Sequence, residues 1–422
     1  MEQRPAILGG VPAVTSPHPH AIWPPAASAA ECDELTTQRN GDIGILGRSG
    51  PIAEFENRFL QFLENRVRYA VTFNSGTSGL YAAYVALGLG EGDEVIGPAL
   101  TYHAALSPLF AIRATPVLVD VDRHTRCLTP SKVEAAITGK TRAITVVHQW
   151  GHPADMDAIL DIARRHNIRV VEDCSHAQGS RLRGYPCGAF GDIAVFSLQA
   201  SKMIYAGEGG ILVTNNEAFH DRAVLIGHYR DRAREEVIDA KLRQYWVTGF
   251  GLKLRMSALN AVVAKHSLMA YPERRESRHR CLRYFNEKLR SYDFLELHEP
   301  MGDVDMGSWY GFKPLYLQER LHGLTRQRFI EALRAEGVEV TAPSGGCLDT
   351  LPFYKAEQDP LFGITRPSAL HNRMDLCEAK LIEAQALSLP TFTNWPEDQH
   401  IIDEYVDAFA KVSNAASEIS HR

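Results

Sequence analysis

The chain has 422 residues, 45% of them hydrophobic and 23% charged, with a formal net charge of −6 at pH 7. That length holds a large domain with a substantial core beside a smaller one, in the proportions of a soluble globular protein. The mild charge, without a basic block, speaks against nucleic acid as a partner, and no apolar run approaches the roughly 18 residues of a membrane helix. Met1-Glu2-Gln3-Arg4-Pro5 lacks the basic-then-apolar layout of a signal peptide. The 7 cysteines include no Cys-x-x-Cys pair. A reduced, cytoplasmic protein is therefore expected.

Residues 1–50 are rich in Gly, Pro and Ala, weakly periodic, and read as an N-terminal arm and loop. No Gly-Lys-Ser/Thr follows Gly41, Gly44, Gly47 and Gly50, so they mark no phosphate loop. Ile52, Phe55, Phe59, Phe62 and Leu63 recur at helical spacing. Residues 69–73 read as a strand that runs into Asn74-Ser75-Gly76-Thr77-Ser78-Gly79, and an apolar helix follows over 80–87. A strand, a Ser-Gly-Thr turn and a helix start make an anion site, because free N–H groups and the helix dipole face the turn. The plain alternative is a helix cap by Ser75 or Thr77. A strand from Asp93 leads to Thr101-Tyr102-His103, where Tyr102 either stacks on a planar ring or packs in the core. Strands over 115–120, 142–148 and 169–173 alternate with helices over 131–137 and 156–166. This alternation predicts a mainly parallel α/β sheet. Ligands of such sheets gather at the carboxyl ends of the strands, where Ser75, Tyr102, His148 and Asp173 lie.

His148 and His152 have a zinc-like spacing, but Gly151 and Pro153 break any helix there. No third ligand is evident, so no metal is assigned. Gly88-Leu89-Gly90-Glu91-Gly92 follows a helix and lacks the last glycine of the dinucleotide pattern, which argues against nicotinamide binding. The apolar runs 193–196 and 211–213 read as strands around a polar, glycine-rich loop that holds Lys202. Burial would lower the pKa of this lysine and leave a nucleophilic amine, able to form a Schiff base with an aldehyde. Ser197, at the strand end, offers a hydroxyl to a phosphate. The alternative is a surface lysine in a hairpin. Beyond 213 the pattern turns helical and basic, with Arg222, Arg230, Arg232 and Arg234. One long helix is expected over 257–289, kinked at Pro272. The large domain is expected to span 51–290. A smaller α+β domain follows over 291–422, with strands near 312–316 and 338–340, a helix over 327–336, a long loop over 341–375 and helices over 379–386 and 401–415.

Together these elements suit pyridoxal 5′-phosphate. That cofactor needs a phosphate cup, a carboxylate for its ring nitrogen, a planar group on its face and a Schiff-base lysine. The Ser-Gly-Thr turn with Ser197 supplies the cup, Tyr102 a face, Asp173 the carboxylate and Lys202 the amine.

From about Gly9 to Pro390 the chain resembles the DegT/DnrJ/StrS-type sugar and cyclitol aminotransferases, which are fold-type I pyridoxal-phosphate enzymes. The resemblance rests on Phe73-Asn-Ser-Gly-Thr-Ser-Gly-Leu, Glu172-Asp-Cys-Ser-His-Ala-Gln-Gly, and Gly191-Asp-Ile-Ala-Val-Phe-Ser-Leu-Gln-Ala-Ser-Lys with Gly207-Glu-Gly-Gly. It implies that Lys202 carries the cofactor, that Asp173 binds the ring nitrogen and that His176 lies near the ring hydroxyl. It further implies Gly76, Thr77 and Ser197 as phosphate ligands and Tyr102 as the stacking aromatic. The segment Gly251-x-Lys253-x-Arg255-Met-Ser matches one that reaches the neighbouring subunit's cofactor, which implies a homodimer with shared active sites. Gly9-Gly-Val-Pro and Arg255-Met-Ser resemble the branch of scyllo-inosose aminotransferases and aminohydroxybenzoate synthases. The implied reaction moves an amino group from L-glutamine or L-glutamate to a keto-cyclitol or keto-sugar of aminocyclitol-type secondary metabolism. Two other readings are a dehydrating or aromatising synthase and a non-catalytic regulator that binds the cofactor. The intact Lys202 argues against the sugar dehydratases, which carry histidine there.

Overall fold

Short runs of β-branched and small apolar residues build a 7-stranded sheet in the computed structural model, which describes residues 4–16, 23–44, 47–356, 358, 363 and 375–421. The strands in chain order are β1 (Tyr69–Phe73), β2 (Glu94–Pro98), β3 (Thr115–Val119), β4 (Thr141–Val147) and β5 (Arg169–Asp173). Two short strands, β6 (Arg181–Leu182) and β7 (Tyr185–Pro186), form a separate hairpin, and β8 (Ile193–Ser197) and β9 (Gly210–Thr214) return to the sheet. The order across the sheet is β1-β9-β8-β5-β4-β2-β3. All neighbours are parallel except β9, which runs against both β1 and β8. Phe73 and Ser197 both pair with Gly210. The ends of β1 and β8 and the start of β9 therefore share one edge of the sheet with the ends of β2, β4 and β5.

Alternate side chains point to opposite faces. Val71, Phe73, Val171, Val195 and Leu212 enter one core, with the helix Gly76–Ala86 and the helix Glu217–Gly227. Ala70, Ala194, Phe196, Ile211 and Val213 enter another, under the helices Gly50–Phe62 and Ala258–Met269. Covering both faces explains why the strands read as continuous apolar runs. A further core joins Leu282, Phe285, Phe312, Phe329, Tyr405 and Phe409 from the C-terminal part of the chain.

Some elements differ from the sequence reading. The helix after β1 starts at Gly76, inside the Ser-Gly-Thr turn, because Ser75 caps it by accepting from Ser78 N. The long helix expected over 257–289 is two helices, Ala258–Met269 and Tyr271–Leu289. Pro272 lies in the first turn of the second, where its missing N–H costs nothing. A helix at Ala29–Asn40 replaces part of the expected N-terminal loop. It is polar and carries little periodic signal, and it is held by Ser28 as its cap and by Glu34 against Lys265 and His266. The expected strand at 338–340 has no ladder, although Thr341 bridges to Ser388. Within the loop read at 341–375, Leu348–Thr350 and Pro352–Lys355 form short helical turns. Residues 357, 359–362 and 364–374 of that loop lie outside the described residues.

Candidate active site

The shared sheet edge opens into a cavity of about 460 Å³. Its lining includes Ser75, Gly76, Thr77, Tyr102, Asp173, His176, Ser197 and Lys202. These residues come from the ends of four strands and the turns that follow them, and only the sheet order brings them together. Lys253 and Arg255 lie outside this lining, in the loop before the helix Ala258–Met269.

At one end the helix Gly76–Ala86 presents its first turn, where Gly76 and Thr77 have no intrahelical acceptor for their N–H groups. A Cβ on Gly76 would stand 2.9 Å from Ser197 Cβ. Only glycine lets the helix start press against β8 and gather the Ser75, Thr77 and Ser197 side chains beside those N–H groups. Ser75 thus serves as both cap and cavity wall, so the two readings of this turn are compatible.

Asp173 ends β5 and is 6% exposed. Its Oδ1 accepts from Ser175 N at 2.9 Å. Burial raises its pKa above the usual carboxylate value, against the pull of the Ser175 bonds and of Lys202. A buried carboxylate that lines a cavity and is costly to ionise gains most from a cationic partner. The protonated nitrogen of a pyridine ring is such a partner.

Lys202 is 7% exposed, so it is not a surface lysine. Burial pushes its pKa down, opposed by Tyr310 and Asp173. Its Nζ lies 3.8 Å from the centroid of the Tyr310 ring. Tyr310 in turn stacks on His176, with centroids 4.3 Å apart and planes at 14°, and its hydroxyl meets Ser201 Oγ at 3.1 Å. Burial, aided by Lys202 and Lys313, holds His176 neutral, well below its ordinary pKa. Tyr102 is 58% exposed, and its ring is tilted at 46° to that of His103. It does not pack in the core, and its face is available to a planar ligand.

His148 is not a cavity group. Its Nδ1 accepts from Ala154 N at 3.0 Å, so Nε2 carries the proton and donates to Glu172 at 3.0 Å. Glu172 also accepts from the N–H groups of Gly188, Phe190 and Gly191. Cys174 Sγ completes a cluster of three potential metal ligands. The hydrogen bonds already account for the charge of Glu172 and for both ring nitrogens of His148. His152 turns its Nδ1 to the Pro153 carbonyl at 2.8 Å.

Two residues of this site were missed in the sequence. Gln178 is fully buried and clamps the lysine loop, donating to Ser197 O at 3.0 Å and Ile204 O at 2.7 Å and accepting from Ile204 N at 2.7 Å. Its place inside the Glu172–Gly179 motif was the available signal. Tyr310 comes from a remote segment that no local pattern links to Lys202.

The DegT/DnrJ/EryC1/StrS aminotransferase family profile matches residues 28–403. The chain belongs to this family. Its enzymes depend on pyridoxal phosphate, and the buried Asp173, the amine of Lys202 and the helix-start cup fit that group. The chain is 38% identical over 242 residues to a GDP-perosamine synthase of Escherichia coli O157:H7, a match covering 57% of this chain and 64% of the relative. It is 47% identical over 188 residues to an L-glutamine:scyllo-inosose aminotransferase of Streptomyces griseus, covering 44% of this chain and 43% of the relative. The matches thus span less than two thirds of these relatives. An aminotransferase structure from Psychrobacter cryohalolentis superposes with a TM-score of 0.80 at 26% identity, covering 96% of this chain and 100% of that one. Family membership and this superposition agree with the α/β fold read from the strand alternation.

Proposed function

We propose that the protein is an aminotransferase that moves an amino group from L-glutamine or L-glutamate to a keto-cyclitol or keto-sugar in aminocyclitol-type biosynthesis. The observation that carries this reading is a buried lysine amine and a buried carboxylate in one cavity, above a helix-start anion cup. Bound pyridoxal phosphate supplies an aldehyde for the amine and a ring that withdraws electrons from the reacting carbon. Gly76, Thr77, Ser75 and Ser197 hold its phosphate, Tyr102 covers its face, and His176 lies toward its ring hydroxyl. Asp173 keeps the ring nitrogen protonated. The Lys202 Nζ acts as a base: it takes a proton from the donor's α-carbon and later returns one to the acceptor carbon. The match to a glutamine:scyllo-inosose aminotransferase favours a cyclitol acceptor, and the match to a GDP-perosamine synthase favours a nucleotide-linked keto-sugar. L-glutamine or L-glutamate added to the loaded protein should convert the yellow cofactor to its amino form, and a keto-cyclitol or keto-sugar should reverse the change. An unchanged spectrum with both donors would leave the regulator reading in its place.

The active unit in this reading is a homodimer with shared sites. A dianionic phosphate calls for more positive charge than the cup provides, and Lys202 is committed to the aldehyde. Lys253 is exposed beside Tyr245, Val247, Phe250 and Leu252, an apolar group 37–49% exposed. Arg255 Nη1 is buried without a hydrogen-bond partner among the described residues. Such a surface suits a subunit contact that lends cations across a two-fold axis. Mixing Lys202→Ala subunits with Lys253→Ala/Arg255→Ala subunits should restore activity that neither has alone. Continued inactivity after demonstrated subunit exchange would refute shared sites.

A further inference from the structure

The Lys202 cavity adjoins a second chamber of about 480 Å³, and Thr101, Tyr102, His176 and Tyr310 line both. Two of its residues are in unusual states. Lys313 is half-buried and donates to Ser388 Oγ, but no carboxylate is paired with it among the described residues. Gln149 is 3% exposed, and its Oε1 has no hydrogen-bond donor among the described residues. A desolvated ammonium and an unmatched buried acceptor are both costly to leave unpaired. Both costs are recovered when a ligand brings an anion and an N–H or O–H group.

The charge narrows the ligand class. A neutral keto-ring needs no ammonium. The diphosphate of a nucleotide-linked sugar calls for several cations, and among the described residues Lys313 is the only Lys or Arg in this lining. One carboxylate matches one ammonium. We propose that this chamber receives the amino-acid donor and that the Lys313 ammonium pairs with one of the donor's carboxylates. Gln149 Oε1 accepts an N–H of the same molecule. The proposal rests on the aminotransferase reading and deepens it by assigning the donor's recognition to residues far along the chain from Lys202.

Burial lowers the pKa of Lys313 to about 8. The ammonium is therefore lost, and carboxylate binding with it, as pH rises through that value. Other titratable groups face it or lie near it. Burial keeps His176 and His298 neutral well below this range. Tyr102 and Tyr310 line the chamber, and Tyr310 titrates below its ordinary value. The Glu383 carboxylate accepts from Cys347 N at 3.0 Å. A Lys313→Arg variant leaves all of these in place while holding a permanent charge.

The test uses glutarate, a dicarboxylate with no amine to titrate, bound to the pyridoxal-phosphate-loaded enzyme and followed by calorimetry. Wild-type affinity should fall about tenfold between pH 7 and pH 9, following the ammonium fraction of a group near 8. Lys313→Met should bind glutarate on the order of 10- to 100-fold more weakly at pH 7, the scale of a lost charge-assisted bond, with no pH dependence. Lys313→Arg should bind well across the whole range. The proposal is overturned if Lys313→Met binds like wild type, if wild-type affinity does not change with pH, or if wild type shows no glutarate binding at pH 7. Retained cofactor absorbance in each variant certifies its folded site. Failure of the aminotransferase reading would appear elsewhere, as an unchanged cofactor spectrum when wild type meets L-glutamine.

Discussion

Lys202→Ala is expected to abolish turnover, with a loss on the order of 10⁴-fold or more, because one amine serves as both cofactor anchor and proton carrier. The substituted side chain sits in a loop whose backbone is held by other groups, namely Gln178 and the indole of Trp23, which donates to Ala200 O at 3.1 Å. The fold should therefore survive, and circular dichroism should match wild type. Borohydride reduction of the wild-type holoenzyme followed by peptide mapping should place the pyridoxyl label on Lys202. A label on another lysine, or near-normal turnover by the alanine variant, would overturn the assignment. The lowered pKa of Lys202 adds a direction: burial favours the neutral, nucleophilic amine, so reloading of the apoprotein with cofactor should speed up as pH rises toward the lysine's pKa.

Asp173→Asn should retain the fold and lose activity on the order of 10²-fold or more, the scale of a lost charge partner at a reacting centre. The two side chains are nearly equal in size, and asparagine can still accept from Ser175 N. What is lost is the negative charge that holds a proton on the ring nitrogen. Burial already makes that charge expensive at this position, which is hard to explain for a residue with a purely structural task. The variant should still bind the cofactor, with an absorption spectrum altered by the unprotonated ring. Turnover close to wild type, measured with the preferred donor, would rule out this role for Asp173.

The central sheet was legible because its strands are buried on both faces, so apolar runs such as Ile193-Ala-Val-Phe stand out from the helices between them. Lys202, Asp173 and Ser75 were legible for the same reason: Asp173 ends such a run, Ser75 and Lys202 lie in the loops that follow one, and the parallel order puts these ends on one edge. Tyr310, Lys313 and Gln149 were not. Tyr310 and Lys313 flank the start of the strand expected near 312–316, but they reach the site through packing that no local pattern links to Lys202. Gln149 sits in a turn just after β4 whose partner surface belongs to residues 341–346 and 382–388. The helix Ala29–Asn40 escaped for a different reason. Its stability comes from a cap, from the ion pair of Glu34 with Lys265 and from a hydrogen bond of Glu34 with His266, which are long-range contacts without any periodic trace.

Gln178 grips main-chain atoms only: the carbonyls of Ser197 and Ile204 and the amide of Ile204. Those bonds are indifferent to which side chains lie between them. This grip does not depend on the side chain at position 202, which makes that residue an exchangeable fitting within the loop. A different base placed there would meet the same carboxylate, the same anion cup and the same neighbouring chamber. In such an architecture the type of reaction can change by replacing one side chain, without rebuilding the walls that select the molecule it acts on.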